Sequence, residues 1–335
     1  MLQIENHTPF YASLAVFPNC DAIDTLYVIL KATLSLRPRL ALAPVQVPVT
    51  LADEYYADPA ASSLMKSSEL HIGKPGTDVL LVGRAWAPGG RAAPESWVRV
   101  SVAERQKTVR VWGDRVWRRD GTPSGPEPFE AMPLVWERAF GGMLQLADRT
   151  LAEERNPIGV GFLGGRLREE LEGQPVPNLE DPAAPLERLG QSVAPACFAP
   201  IAPHWLPRRS FAGTYDETWQ RKRAPYLPKD FDRRFLQCAA AELAFDRYLQ
   251  GGESVQVRGA TPDAPIEFTL PVANLHVTVR VAGAEEHPVA QLETVLIEPD
   301  ENRMCLTWRA ELPCDRRVLK VEKVIVTRRP TEART

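Results

Sequence analysis

The sequence predicts a mainly β fold in which two β-rich regions, of the sandwich or barrel type, are joined by a long, ordered loop region with few short helices. Three observations predict this class. Apolar and polar residues alternate with a period of two near both ends of the chain. The 335 residues include 31 prolines, nearly twice the usual share of about 5%, and proline disfavours helix interiors. One segment, Phe235–Leu249, stands out as the best helix candidate.

The first region, residues 1–121, carries the pattern of half-buried strands. In Leu26–Leu36 the apolar residues share one face, and Lys31, Thr33 and Ser35 share the other. The polar turn Ala103–Lys107 separates two runs rich in valine and tryptophan, which predicts a hairpin. The predicted strands of this region are 26–36, 78–86, 97–102 and 108–117.

The middle region, residues 122–252, differs in composition, with recurrent prolines and the glycine pairs Gly141–Gly142 and Gly164–Gly165. Disordered segments lack aromatic residues, whereas this region is rich in them, so we expect ordered loops. We expect a short helix over Leu167–Glu172 and a longer one over Phe235–Leu249.

The last region, residues 253–335, returns to strand patterns. Residues 298–302 (EPDEN) read as a hairpin turn between two strands. The alternative to three segments is one continuous domain over about residues 4–327. The predicted strands are 254–258, 266–270, 276–281, 291–297, 304–310 and 319–327.

Composition excludes several classes of protein. A net charge of −3 does not fit a nucleic-acid binder, which usually carries a basic face. The first thirty residues lack a signal-peptide pattern, and the sequence has no run of about 18 apolar residues, so we expect a cytoplasmic protein without membrane contact. The five cysteines are scattered and form no CxxC pair, which argues against a zinc site and a disulfide framework.

Motifs of known chemistry are weak. The sequence lacks GxSxG and a P-loop, and its single GxGxxG, GVGFLG at 159–164, neither follows a predicted strand nor opens a clear helix. The five histidines never stand four residues apart. We therefore predict no metal site, no cofactor and no catalytic residue.

Acidic residues leave two interpretations open. Asp216 and Glu217 lie in GTYDETW, and Asp230 and Asp232 flank Phe231 in PKDFDRRF. Paired carboxylates beside aromatic side chains suit glycoside chemistry. Alternatively, these carboxylates accept backbone N–H groups and hold irregular backbone in place.

The segment Trp136–Gly142 (WERAFGG) has the same ambiguity. Glu137 and Arg138 lie between two aromatic residues, and in a buried loop both need ionic partners. The glycine pair permits backbone turns that a Cβ would block. The segment is a structural corner or, since tryptophan and arginine dominate interface energetics, a recognition surface.

Taken together, a series of motifs resembles one bacterial family, the domain-of-unknown-function family 2169. The order and spacing of the motifs make the resemblance specific, and it covers nearly the whole chain. One departure is the helix-like FLQCAAAEL (235–243), which stands where we expect a proline-bearing loop. The motifs are IENHTPF (4–10), MPLVWERAFGG (132–142), NPIGVGF (156–162), PVPNLE (175–180), PACFAPIAPHWLPR (195–208), FAGTYDETW (211–219), APYLPKDFDRRF (224–235), YLQGGESV (248–255) and TWRAELP (307–313).

The resemblance implies a role in type VI secretion. Members of the family are similar to adaptors encoded beside the VgrG spike, PAAR-like tip proteins and toxic effectors, and they are thought to load an effector onto the spike. The implied partners are therefore a secreted effector and a VgrG or PAAR-like protein, and the implied function is not enzymatic.

We hypothesise that the ordered loops from WERAFGG to PKDFDRRF line a surface that holds an extended segment of cargo. Two other functions stay open: an enzyme acting on a glycan or peptide through the acidic loop residues, and a carbohydrate-binding β module. The candidate partner-binding residues are Trp136, Glu137, Arg138, Phe140, Gly141, Gly142, Asn156, Trp205, Arg209, Gly213, Thr214, Tyr215, Asp216, Trp219, Asp230, Phe231, Asp232, Trp308 and Arg309.

Overall fold

The structure, a computed structural model, describes residues 3–328. It is mainly β, with 39% strand and 10% helix, which confirms the predicted class. Most of the long strands lie near the two ends of the chain, and the middle contributes short strands and loops.

The strands fall into three groups along the chain. The first group is β1 (Gln3–Asn6), β2 (Tyr11–Pro18), β3 (Asp24–Ser35), β4 (Ala41–Leu42), β5 (Glu54–Tyr55), β6 (Leu64–Lys66), β7 (Asp78–Leu81), β8 (Arg84–Trp86), β9 (Glu95–Val102), β10 (Arg105–Trp112) and β11 (Arg115–Val116). The second is β12 (Ala131–Pro133), β13 (Phe140–Gly141), β14 (Met143–Gln145), β15 (Thr150–Ala152), β16 (Val160–Gly161), β17 (Pro175–Val176) and β18 (Leu179–Glu180). The third is β19 (Ser254–Arg258), β20 (Ile266–Thr269), β21 (Leu275–Val281), β22 (Ala284–Glu286), β23 (Gln291–Glu298), β24 (Arg303–Pro313) and β25 (Val321–Arg328).

Helices within the described residues are short. The α-helices are α1 (Arg168–Leu171), which lies within the predicted segment 167–172, and α2 (Glu217–Lys222). The 3₁₀ helices are Pro88–Gly90, Trp136–Arg138, Arg208–Phe211, Arg233–Leu236, Pro299–Glu301 and Asp315–Lys320.

Three sheets combine strands from both ends of the chain. The six-stranded central sheet has the order β2-β3-β24-β23-β7, and β4 also pairs with β3. The five-stranded sheet has the order β18-β10-β9-β19-β20, and the four-stranded sheet has the order β1-β25-β21-β22. The first and last sequence regions therefore share their sheets, while the bounds of the three sequence segments stay a prediction.

The five-stranded sheet shows how alternation builds the core. Val98 and Val109 are cross-strand partners with no exposed surface, and the neighbouring valines of β9 and β10 are buried in the same way. The residues between them point to the opposite, solvated face. The β9–β10 hairpin is therefore confirmed, although its turn contains only Ala103 and Glu104, with Ala103 at a φ of 50°.

The other strand predictions are confirmed with three differences. The expected polar face of β3 is not solvated: Lys31 and Thr33 are each only 2% exposed, because the chain covers both faces of the central sheet. The predicted strand 78–86 divides into β7 and β8, which belong to different sheets. The predicted strand 108–117 likewise divides into β10 and β11, which belong to different sheets. The turn before β24 is confirmed, with Asn302 in the left-handed region.

The predicted helix Phe235–Leu249 is wrong. After the 3₁₀ helix Arg233–Leu236 the segment runs as turns and short extended pieces. Its backbone bonds to the start of β7 instead: the N–H of Val79 donates to the carbonyl of Leu243, and the N–H of Phe245 donates to the carbonyl of Thr77. These tertiary bonds outweigh the helix propensity of its alanines.

Candidate functional site

Eight of the candidate residues come together in one exposed loop, which we call the aromatic loop (residues 211–235). It begins at the end of the 3₁₀ helix Arg208–Phe211, contains α2, and ends in the 3₁₀ helix Arg233–Leu236. The eight are Gly213, Thr214, Tyr215, Asp216, Trp219, Asp230, Phe231 and Asp232.

The carboxylates of the aromatic loop hold its backbone. Asp216 caps α2 by accepting the N–H of Trp219 at 2.7 Å. Asp230 accepts the N–H and the hydroxyl of Thr214, at 3.1 and 2.7 Å. Asp232 accepts the N–H of Arg234 at 2.9 Å and also binds its guanidinium. This arrangement matches the structural interpretation, one of the two that the sequence leaves open.

Two of these carboxylates are shifted toward ionisation. Hydrogen bonds from the Thr214 side chain and backbone lower the pKa of Asp230, and the Arg234 guanidinium lowers the pKa of Asp232. A general acid needs a raised pKa so that it carries a proton near neutral pH. The environment of both carboxyls is therefore the opposite of what that role requires.

The aromatic side chains of the loop form an exposed cluster. Tyr215 is 53% exposed and packs edge-to-face on the half-buried Trp219, with ring centroids 4.7 Å apart. The indole N–H of Trp219 donates to the carbonyl of Tyr226 at 2.8 Å, and the Tyr226 side chain is 40% exposed. Phe231 packs edge-to-face on Phe235 at 5.7 Å. Trp219 thus organises the loop, while Tyr215 and Tyr226 face outward.

Arginines attach the aromatic loop to the rest of the protein. The Arg223 guanidinium donates to the carbonyls of Leu227 at 2.8 Å and of Cys20, just after β2, at 2.5 Å. The Arg233 guanidinium donates to the carbonyls of Ile72 and Gly73 and pairs with Glu311. The loop is therefore held in place, so little conformational entropy is left to lose when it binds a partner.

The WERAFGG residues form a structural corner. Glu137 accepts hydrogen bonds from the N–H and hydroxyl of Ser63, whereas Arg138 pairs with Asp114 at 3.1 Å and donates to Asn178. The two charged neighbours therefore satisfy their charges with different partners. Both side chains are half-buried.

Asn156 closes this corner. It is fully buried, and its amide donates to the carbonyls of Trp136 at 2.8 Å and Phe140 at 3.0 Å. The N–H of Gly142 donates to the carbonyl of Asn156 at 2.9 Å. At Gly141, with a φ of 154°, a Cβ would lie 2.1 Å from that carbonyl oxygen. The polar groups of this corner are therefore used in contacts within the protein.

Two of the candidate partner-binding tryptophans lie inside the protein. Trp136 and Trp205 are 4% and 0% exposed and meet edge-to-face at 6.0 Å. The indole N–H of Trp136 donates to the carbonyl of Pro200 at 3.0 Å. Arg209, by contrast, is half-exposed and pairs with Glu154 at 3.0 Å. Among these three residues, only Arg209 has a side chain available to a partner.

Trp308 and Arg309 are buried in the central sheet, which excludes them from direct partner contact in this conformation. Trp308 stacks on Phe10 with ring centroids 5.8 Å apart. Arg309 is 1% exposed, donates to Glu293 at 2.8 Å and to the carbonyl of Glu69 at 2.5 Å.

Arg309 belongs to a buried charge layer that the sequence interpretation missed. Lys31 pairs with Glu69, and Lys74 pairs with Asp78, both at 2.7 Å. Burial disfavours the charged form of Lys74, but the acidic groups around it, Asp78 foremost and Glu293 among the others, together outweigh burial, so the pKa of Lys74 is raised. The sequence signal for this layer is a lysine within the otherwise apolar strand β3, on the face opposite the apolar residues.

The outer face of the five-stranded sheet carries a second exposed feature. Trp97 is 43% exposed, and the Arg99 guanidinium lies 5.2 Å from its ring centroid. Arg99 also donates to the hydroxyl of Thr108 at 2.9 Å. These side chains border an open cleft of about 620 Å³, whose other walls include Pro88 and Pro182.

The fold and the loop define a mainly β protein that presents a preformed aromatic surface. The chain belongs to the family DUF2169, described as "Uncharacterized protein conserved in bacteria", whose family profile matches residues 21–309. The predicted family membership is therefore confirmed. No curated protein and no solved structure matches the chain.

Within residues 3–328, no three His, Cys, Asp or Glu side chains are grouped so as to hold a metal ion. In the same range, no helix has the length and apolar character needed to cross a membrane.

Proposed function

We propose that this protein is a cytoplasmic adaptor that binds a type VI secretion effector through the aromatic loop and presents it to the VgrG spike or a PAAR-like tip protein. The observation that carries the proposal is the exposure of Tyr215 and Tyr226 on a loop held by its own hydrogen bonds. Exposed tyrosines on a rigid support are typical of protein interfaces. The resemblance to secretion adaptors supplies the identity of the partner.

The test is a binding measurement with the effector encoded beside this protein. We expect the effector to co-purify with the wild-type protein and to be lost with Tyr215→Ala/Tyr226→Ala. Truncating an interface tyrosine costs about 2 kcal/mol where it is a hot spot, which weakens binding about 30-fold. Both side chains are exposed, so we expect the thermal unfolding of the double variant to match the wild type.

Trp97→Ala is the matched control, because Trp97 is a similarly exposed aromatic residue on the five-stranded sheet, outside the aromatic loop. It leaves effector binding unchanged if the aromatic loop is the contact surface. Equal loss of binding in the control and the double variant, or no binding by the wild type, would contradict the proposal.

A carbohydrate-binding module is the second candidate function, favoured by the cleft beside Trp97. An exposed tryptophan ring next to a guanidinium and a hydroxyl suits stacking and hydrogen bonding to a sugar. Calorimetry with cell-wall saccharides tests it: this function requires binding that Trp97→Ala abolishes and Tyr215→Ala preserves.

A further inference from the structure

Strand β2 forms an unusual edge of the central sheet. It pairs on one side with β3, in register from Tyr11 opposite Lys31 to Pro18 opposite Asp24. Within residues 3–328, no backbone hydrogen bond joins its other side to another segment. Alternate residues of an antiparallel edge strand direct their N–H and C=O groups outward, so β2 presents an unpaired row of both.

The sequence of β2, YASLAVFP, has eight residues and no charge. Natural edge strands are commonly protected by charged residues, by shortness or by a covering segment. The opposite edge, β7, is covered in this way, because Val79 bonds to the carbonyl of Leu243. The edge strand β20 has only four residues, one of which is Glu267. Strand β2 is longer and carries no charged residue, and among residues 3–328 no segment makes a backbone hydrogen bond to its free side.

The edge is preformed rather than frayed. Ala12 and Leu14 pack against the main core, and Phe17 stacks on Tyr27 with ring centroids 4.4 Å apart. Tyr11 and Val16 remain 42% and 43% exposed. The strand therefore offers ordered backbone groups together with two large, partly uncovered apolar side chains.

We propose that β2 pairs antiparallel with β2 of a second copy, so that the central sheet continues across a twofold dimer. In such a pair, residues directly opposite each other point to the same face of the sheet. A register centred on Leu14 meets this condition and places Leu14 opposite itself, Tyr11 opposite Phe17, and Val16 opposite Ala12. Each exposed side chain then meets an apolar partner.

The second copy fits better than a foreign strand for two reasons. The strand lacks like charges that would repel an identical strand across the axis. The register centred on Leu14 also pairs its aromatic residues with each other and its valine with a small residue, and a foreign strand does not require such self-complementarity. This inference does not depend on the proposed adaptor function.

Sedimentation velocity of the full chain tests the dimer, which has twice the 37.3 kDa of one copy. We expect Val16→Glu to give a monomer, because it places an unpaired carboxylate opposite Ala12. Val289→Glu is the matched control: Val289 is 70% exposed and lies outside β2, so the dimer should remain. Circular dichroism checks that both variants fold.

Disulfide crosslinking tests the register and stays informative if Val16→Glu does not fold. In a Cys20→Ser background, Leu14→Cys should form a disulfide between copies on mild oxidation. Ala15→Cys should not, because Ala15 lies opposite Ser13. A monomeric wild type, a dimer that persists in Val16→Glu, or crosslinking by Ala15→Cys alone overturns the proposal. A monomeric protein that binds a strand of another protein through β2 would also overturn the proposal.

Discussion

Asp230 closes the aromatic loop by accepting two hydrogen bonds from Thr214, which lies 16 residues earlier in the sequence. The hydroxyl bond is 2.7 Å long and the backbone bond is 3.1 Å long. Between these residues lie α2 and the exposed Tyr215 and Tyr226. The shape of the proposed binding surface therefore depends on a contact made entirely within the loop.

Asp230→Ala should loosen the loop without unfolding the protein. The variant removes the acceptor for both Thr214 donors, so the loop opens more often and trypsin cuts faster after Arg221 and Lys222. The thermal midpoint should stay close to that of the wild type, because Asp230 is exposed. Limited proteolysis followed by mass spectrometry measures the cleavage rate and position.

Asp246→Ala serves as the control for this prediction. Its side chain is 88% exposed and pairs with Arg105 at 3.2 Å, outside the aromatic loop. We expect its proteolysis to match the wild type. Equal cleavage rates in Asp230→Ala and Asp246→Ala would show that the Thr214 contact does not order the loop.

Local patterns predicted the parts of this structure that depend on neighbouring residues. The β9–β10 hairpin and the turn at 298–302 follow from alternation and turn residues within short windows. The backbone-binding role of the loop carboxylates is also local, because Asp216 and Asp232 bond to residues two or three positions away.

Features that depend on distant partners could not be predicted in this way. The burial of Lys31 could not be predicted, because its partner, Glu69, is 38 residues away and no local pattern indicates the pairing. The segment 235–249 has helical propensity, but bonds to Thr77 and Val79 decide its conformation. The burial of Trp308 and Arg309 follows from their place in β24, inside the central sheet.

Gly141→Ala should destabilise the protein by about 3 kcal/mol, since it combines overpacking with a disfavoured φ. The added Cβ would lie 2.1 Å from the carbonyl oxygen of Asn156, so the corner around Trp136 must shift. Denaturant titration measures the loss. Gly165→Ala is the control, because its φ is 83° but nothing lies within 4 Å of the new Cβ. It should cost about 1 kcal/mol. Equal losses of stability in the two variants would mean that the disfavoured φ, and not the contact with Asn156, causes the destabilisation.

Arg309→Met should cost about 3–5 kcal/mol, because it leaves the Glu293 carboxylate buried beside an apolar side chain. Glu293 is 2% exposed and lies 2.8 Å from the guanidinium. Adding Glu293→Gln removes the unpaired buried carboxylate. The double variant should therefore lose less stability than the sum of the losses in the two single variants. Denaturant titration of the four proteins gives the coupling energy.

The exposed pair Arg280 and Glu285 provides the comparison for that cycle. Both side chains are 48% exposed, and their charged atoms are 2.8 Å apart. Arg280→Met should cost less than about 1 kcal/mol, as surface pairs usually do. A similar cost for Arg309→Met would mean that water reaches the buried layer and screens its charges.

His71 should make the protein less stable as the pH falls below about 6.5, the ordinary pKa of histidine. Burial, followed by the nearby Arg309 guanidinium, places the pKa of His71 well below that value in the folded state. The Nδ1 atom also accepts the N–H of Gly73 at 3.0 Å, which requires it to be unprotonated. The unfolded chain therefore binds the proton first, and protonation favours unfolding.

The sign of this effect gives a direct test. The contribution of His71 is complete above about pH 6.5 and is lost as the pH falls toward the folded-state pKa, with a slope of up to about 1.4 kcal/mol per pH unit. Denaturant titrations from neutral to mildly acidic pH should show a shallower loss for His71→Gln than for the wild type. His276→Gln, at an exposed position in β21, should keep the wild-type slope. If His71→Gln also kept that slope, the acid sensitivity would belong to other groups, and the buried layer would tolerate a protonated imidazole.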